Sequence, residues 1–237
     1  MNLGQVGINF FYVVSAALFI FGLKMLSSPA TARRGNLVSA LGMLIAVVVT
    51  LLAQGMDYRW ILVGILTGSI VGAAGASMVK MTAMPEMVAL FNGFGGLSSL
   101  LLAWSEYHQH PRMGVVIAII AALSVFIGGV TFTGSMVAFG KLSGRIPQKA
   151  IVFNGQHLIN GAILAAIVGG GALFCLTPAS FGGYLLFVVI ILVALGFGIT
   201  STIPIGGADM PVVISLLNSY SGLAACAAGF VVSNNIL

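Results

Sequence analysis

Three polar residues in otherwise apolar surroundings set the first question: Asn92, Ser135 and Asn218. Each belongs to a run of small and polar residues repeating at three- and four-residue steps. These runs are Ala89–Asn92–Gly96–Ser99–Ala103, Ser124–Gly128–Thr131–Ser135 and Ser215–Asn218–Gly222–Ala225–Gly229. On a helix such spacing gathers side chains onto one face, and polar faces inside apolar helices turn toward partners or water. Amides and hydroxyls hold water and relay hydrogen bonds, but they do not titrate near neutral pH. A narrow, water-accessible half-channel is therefore one arrangement open to this set, and hydrogen bonding that only fixes helix packing is the other.

The remaining candidates are few. Asp209 is the one acid of its connection and precedes Pro211, where a helix dipole and capping both favour a carboxylate. It also stands at the mouth of the polar cavity the three faces would line, and its chemistry alone does not choose between cap and gate. Glu106, His108 and His110 fall in one connection without a fourth ligand and read as a solvated interfacial loop, so no metal site is expected. His157 with Asn160 reads as an interfacial cap, with a place on a proton path as the lesser alternative. Gly169-Gly170-Gly171 and Gly206-Gly207-Ala208-Asp209 lack the strand–turn–helix setting of a dinucleotide fingerprint. No catalytic or cofactor-binding residue is expected in this chain.

The elements that must position these residues follow from composition. Of the 237 residues, 59% are hydrophobic and only 5% charged, with mean hydropathy +1.16. A water-facing surface carries about a quarter charged residues, so the lipid bilayer is the solvent that fits. The net charge of +5 is scattered among short connections and gives no nucleic-acid signal. Cys175 and Cys226 fall in apolar runs and form no disulfide framework. The 32 glycines suit helices that associate by close backbone approach, and Gly64, Gly68, Gly72 and Gly75 read as one such packing face.

At roughly 20 apolar residues per crossing, eight spans are expected: 7–26, 36–54, 60–79, 86–104, 114–140, 157–176, 182–202 and 211–232. The fold class is therefore an all-α polytopic transmembrane bundle, one domain over 1–237 with no evident repeat. Alternating the connections gathers Lys24, Arg33, Arg34, Lys80, Lys141, Arg145 and Lys149 on one side, against Arg59 and Arg112 on the other. The positive-inside rule makes the first side cytoplasmic and puts the N-terminus outside, with no cleavable signal expected in Met1–Gly7. Asp57 belongs to the second connection. Ser233–Leu237 follow the last span without a charged anchor, as in an interrupted chain. At 1.5 Å per residue, Asn92 and Asn218 then lie roughly 10 Å in from the cytoplasmic ends of their helices, with Ser135 slightly shallower.

Three ordered motifs resemble a known family. They are Ile205–Val213 continuing to Leu217–Gly222, Met84–Ala89 with Phe94, and Thr131–Ser135 leading to Phe139–Lys141. Together they are similar to the membrane-spanning part of the β subunit of proton-translocating NAD(P) transhydrogenase, over essentially the whole chain. The resemblance implies a proton pathway through Asn92, Ser135 and Asn218, gated or coupled at Asp209 and, less directly, Glu86. It implies hydride transfer between NADH and NADP⁺ in soluble domains, with NAD(H) bound on the α side and NADP(H) in a C-terminal domain of β. This chain itself would bind neither cofactor. The implied partners are the α subunit with its membrane helices, a further β helix and the NADP(H) domain, as a dimer of αβ units in the bacterial inner membrane. Some relatives place a histidine where Asn92 stands, so either the titrating group is on another helix or the path here runs through water alone. The alternative function is a secondary transporter of a small polar solute, although no repeated pair of broken helices supports it.

Overall fold

A computed structural model describes the backbone of residues 3–52 and 58–231. Asp57 and the Ser233–Leu237 run lie outside the described residues. The described chain is helical: α1 (Leu3–Leu26), α2 (Pro29–Leu51), α3 (Tyr58–Met78), α4 (Met84–Gln109), α5 (Val115–Leu142), α6 (Gln156–Leu176), α7 (Phe181–Thr202) and α8 (Met210–Val231). All eight are long and apolar enough to cross a membrane. In lipid no water satisfies an open N–H or C=O, which makes the internally bonded helix the solution for each segment. Bulky apolar side chains such as Phe21, Leu37, Ile70, Leu158 and Leu192 stand outward, as lipid contact requires.

The chain divides inside α3, one unit running to Ala73 and the other from Ala74. In the first unit, α1 and α2 form an antiparallel hairpin turned by Ser27 and Ser28. Pro29 occupies the first turn of α2, where its missing N–H costs nothing. Ser15 Oγ donates to the Gly42 carbonyl at 2.6 Å, and the hydroxyls of Tyr12 and Thr50 meet at 3.0 Å.

In the second unit α5 is the axis. It packs antiparallel to α4 and α8 and parallel to α7, with α6 antiparallel to α7. Two glycines set the α4–α5 crossing. A Cβ on Gly96 would lie 2.8 Å from the Gly128 carbonyl, and one on Gly128 would lie 2.6 Å from that of Gly96. Both distances are below any real Cβ contact, so only glycine permits this backbone approach. The register that results pairs Asn92 with Ser135 and Gly96 with Thr131.

The second unit also contains a short local repeat that was not expected. Both α4 and α8 are entered through a 3₁₀ turn (Met81–Ala83 and Gly207–Asp209) and open with Met-Pro. In each, an asparagine stands seven residues after the proline: Asn92 after Pro85, and Asn218 after Pro211.

Several connections are shorter than expected because helices run on past their apolar cores. Arg33 and Arg34 lie in the first turns of α2, not in a loop. Glu106 and His108 belong to the last turns of α4, where His110 Nδ1 reaches Glu106 Oε1 at 2.8 Å across one turn. Charged side chains at a helix end reach the polar interface, so charge marks where the bilayer ends better than where the helix does.

Candidate functional site: a polar seam between three helices

The seam is built from α4, α5 and α8. The expected faces on α4 and α5 are the buried faces: Ala89, Asn92, Gly96, Ser99 and Ala103 on one helix, and Ser124, Gly128, Thr131 and Ser135 on the other. Asn92 Nδ2 donates to Ser135 Oγ at 2.9 Å, and Ser221 Oγ donates to Asn92 Oδ1 at 2.9 Å. One amide thus joins three helices through both of its ends. Ser135 is fully buried and Asn92 nearly so, whereas Ser221 is half-buried, so the chain Ser135–Asn92–Ser221 leads from the core toward the surface of α8.

On α8 the expectation fails for its first three positions. Ser215, Asn218 and Gly222 are exposed, whereas Ala225 is half-buried and Gly229 buried, and the buried face also takes in Met210, Ile214, Leu217, Ala224 and Ala228. The helix sits rotated so that Leu217 packs on α5 at Gly134 and Ser221, one turn past Asn218, meets Asn92. In a bilayer a small polar face and a smooth apolar ridge are both good packing faces, and periodicity does not rank them. The structure therefore brings Asn92 and Ser135 together and leaves Asn218 on the outward side of α8.

Beyond the asparagine, Thr131 lies one turn deeper on α5, fully buried, with its Oγ1 unpartnered. Ser124 Oγ reaches the Ala224 carbonyl at 3.3 Å, extending the polar line along α5 and α8. No carboxylate or imidazole among the described residues bonds to Asn92, Ser135 or Ser221. The seam can hold and orient water, but it cannot itself carry a proton's charge near neutral pH.

The start of α4, the end of α5 and the start of α8 meet at one end of the unit. Glu86 stands half-buried in the first turn of α4 and Asp209 exposed in the 3₁₀ turn before α8. Neither carboxylate holds an ion pair among the described residues. His157 is exposed at the start of α6. Asn160 makes only a long 3.5 Å contact to the Thr200 carbonyl, and its own Oδ1 is unpartnered. No cluster of metal-ligating side chains occurs among the described residues.

Two contributors lie outside the sequence expectation. Ser221 is part of the Leu217–Gly222 motif and differs from Asn218 only by which side of the helix faces in. Lys141, expected among the charges of the fifth connection, is a fully buried residue of α5. Its Nζ donates to the carbonyls of Lys149 (3.1 Å), Ile203 (2.6 Å) and Ile205 (2.7 Å). Nothing in a Phe-Gly-Lys-Leu run separates a lysine bound for carbonyls from one bound for headgroups.

Comparison with known proteins gives a consistent answer. The family model described as NAD(P) transhydrogenase beta subunit matches residues 8–237. The NAD(P) transhydrogenase subunit beta of Rhodospirillum rubrum is 37% identical over 235 residues, covering 95% of this chain and 50% of the relative. A second protein of that name from a strain of the same species matches at the same identity and coverage. The chain spans about half the length of the curated relatives it matches.

Proposed function

Because the chain belongs to the NAD(P) transhydrogenase beta subunit family, we propose that it forms the membrane-spanning proton route of that enzyme. The observation that carries the reading is the chain Ser135–Asn92–Ser221, running from the core to half-buried Ser221, in which one amide links three helices. The route conducts protons through water held by amide and hydroxyl groups. Its access is switched by contacts between soluble domains and the connections at the start of α4 and α8, where Glu86 and Asp209 stand. A switch of this kind needs those contacts to differ between nucleotide states.

Hydride transfer between NADH and NADP⁺ takes place in soluble domains outside this sequence, and this chain binds neither nucleotide. The partners are an α subunit with membrane helices, a further β helix and the NADP(H)-binding domain, assembled as a dimer of αβ units. The titrating group comes from a partner helix carrying a histidine or carboxylate, which the exposed Asn218 face of α8 would meet. The protein lies in the bacterial inner membrane, N-terminus outside and the Lys141–Lys149 connection in the cytoplasm.

The test is Asn92→Leu in the full complex. Leucine fills the space but breaks both hydrogen bonds of the seam. Proton-coupled transhydrogenation should fall at least tenfold, while NADP(H) binding and hydride exchange without net proton transfer persist. Coupled turnover at the unsubstituted rate would leave Asn92 a packing residue and remove the proposed route.

A further inference from the structure

A lysine ammonium has three N–H donors, and at Lys141 three main-chain carbonyls receive them. One, Lys149, belongs to the α5–α6 connection, and the other two, Ile203 and Ile205, belong to the connection leading into α8. The side chain is fully buried, and among the described residues no carboxylate pairs with it. Its partners there are backbone dipoles, so its placement depends on where those two connections sit. Further bonds close the same junction. Gly207 N donates to the Gln148 carbonyl at 2.7 Å, and Ile146 N to the Gly140 carbonyl at 2.8 Å.

The junction lies at a sensitive place. Lys141 is six residues beyond Ser135 on α5, and the connection it holds leads through Asp209 into α8, which carries Ser221. Ser135 and Ser221 are the two residues that flank Asn92. The link at Lys141 therefore fixes the start of α8 against the end of α5.

We infer that Lys141 is a positioning residue: it sets α8 against α5 so that Ser135 and Ser221 stay within hydrogen-bond reach of Asn92, and a displacement of either connection reaches the seam through it. The geometry stands by itself; the consequence for proton movement rests on the reading proposed above.

The test uses the full-length complex with Cys175 and Cys226 replaced by alanine and cysteines placed at Gln148 and Gly207. A Cβ on Gly207 would lie 3.0 Å from that of Gln148, a small outward shift from the usual disulfide Cβ separation of about 3.8 Å. The pair should cross-link readily under mild oxidation when Lys141 is present. With Lys141→Met the cross-linking rate should drop at least fivefold. Without the cysteine pair, Lys141→Met should lower proton-coupled turnover by a similar factor, with hydride exchange that needs no net proton transfer retained. Unchanged cross-linking in folded Lys141→Met complex overturns the inference, and so does slowed cross-linking with full coupled turnover. If Lys141→Met yields no folded complex, Lys141→Gln, which keeps two N–H donors on a shorter stem, is read in the same way. Normal coupling in Asn92→Leu together with slowed cross-linking in Lys141→Met would refute the proton route but retain the positioning role.

Discussion

The two ends of the α4–α8 unit are built from different materials. At the end where α4 finishes and α5 begins, Tyr107, Phe174, Phe187, Val125 and Ile190 form one apolar cluster. Tyr107 stacks edge-on with Phe174 at 5.1 Å and lies 4.5 Å from Phe187, and its hydroxyl is tied to the Pro178 carbonyl at 2.6 Å. At the other end the apolar cluster shrinks to Ala89, Ala138, Met210 and Ile214, and the Asn92 seam and the Lys141 junction occupy the space around it. Aromatic packing of this kind is close-fitting and excludes water. Amides, hydroxyls and carbonyls have more than one satisfactory arrangement, because water can replace any partner. One end is thus suited to be a fixed seal and the other to be an adjustable mouth.

The largest effect is expected between the two ends, at the crossing both depend on. Gly96→Leu puts a side chain onto the Gly128 carbonyl, and the α4–α5 pair should fail to assemble. Size-exclusion profiles of detergent-extracted protein should show little or no folded material. A well-folded Gly96→Leu protein would mean the crossing is looser than its distances imply.

Next comes the sealed end. Phe187→Ala removes a fully buried ring, a change that costs about 3–5 kcal/mol in soluble cores. Part of that figure is transfer from water, so a smaller loss of about 2 kcal/mol is expected here, read as a lower thermal midpoint in detergent. Coupled turnover per folded molecule should hold. A selective loss of proton coupling would place function at the end assigned to sealing.

At the polar end the order should reverse. Ser221→Ala removes one interhelical hydrogen bond, worth about 0.6–2 kcal/mol in membrane proteins, so the midpoint should barely move. Proton-coupled turnover should nevertheless fall several-fold, because Asn92 Oδ1 loses its partner. The smallest change is expected from Asn218→Ala in the isolated chain, where the side chain is exposed and anchors nothing. Its midpoint should match the unsubstituted chain, and a clear drop would show that the Asn218 face packs within this chain.

Of this contrast the sequence carries part of the polar side, and the aromatic cluster around Tyr107 is legible only in the fold. Apolar runs separated by charge located all eight helices, and period alone identified the buried faces of α4 and α5, since each has small residues where two backbones must touch. On α8 period misplaces Ser215, Asn218 and Gly222 and holds only toward Gly229. That helix has a polar face and an apolar face of equal quality, and which one turns inward depends on Leu217 finding Gly134 across the interface, a long-range fit absent from local spacing. Lys141 was hidden for a related reason: its three partners lie 8, 62 and 64 residues away, and as loop carbonyls they carry no side-chain signature. The Met-Pro entry shared by α4 and α8 was present in the sequence, but it became visible as a repeat only when both helices were seen to begin with the same 3₁₀ turn.

The central claim is that water reaches the Asn92 seam and not the aromatic seal. Single cysteines at Ser135, Ser221 and Val125, placed in the full complex free of native cysteines, test it with a small water-soluble thiosulfonate. Cysteines at Ser135 and Ser221 should react in at least one nucleotide state, at rates that change with NADP(H) occupancy, and the cysteine at Val125 should stay inert throughout. Equal labelling of all three positions, or silence at Ser135 and Ser221 in every state of an active complex, would contradict the account.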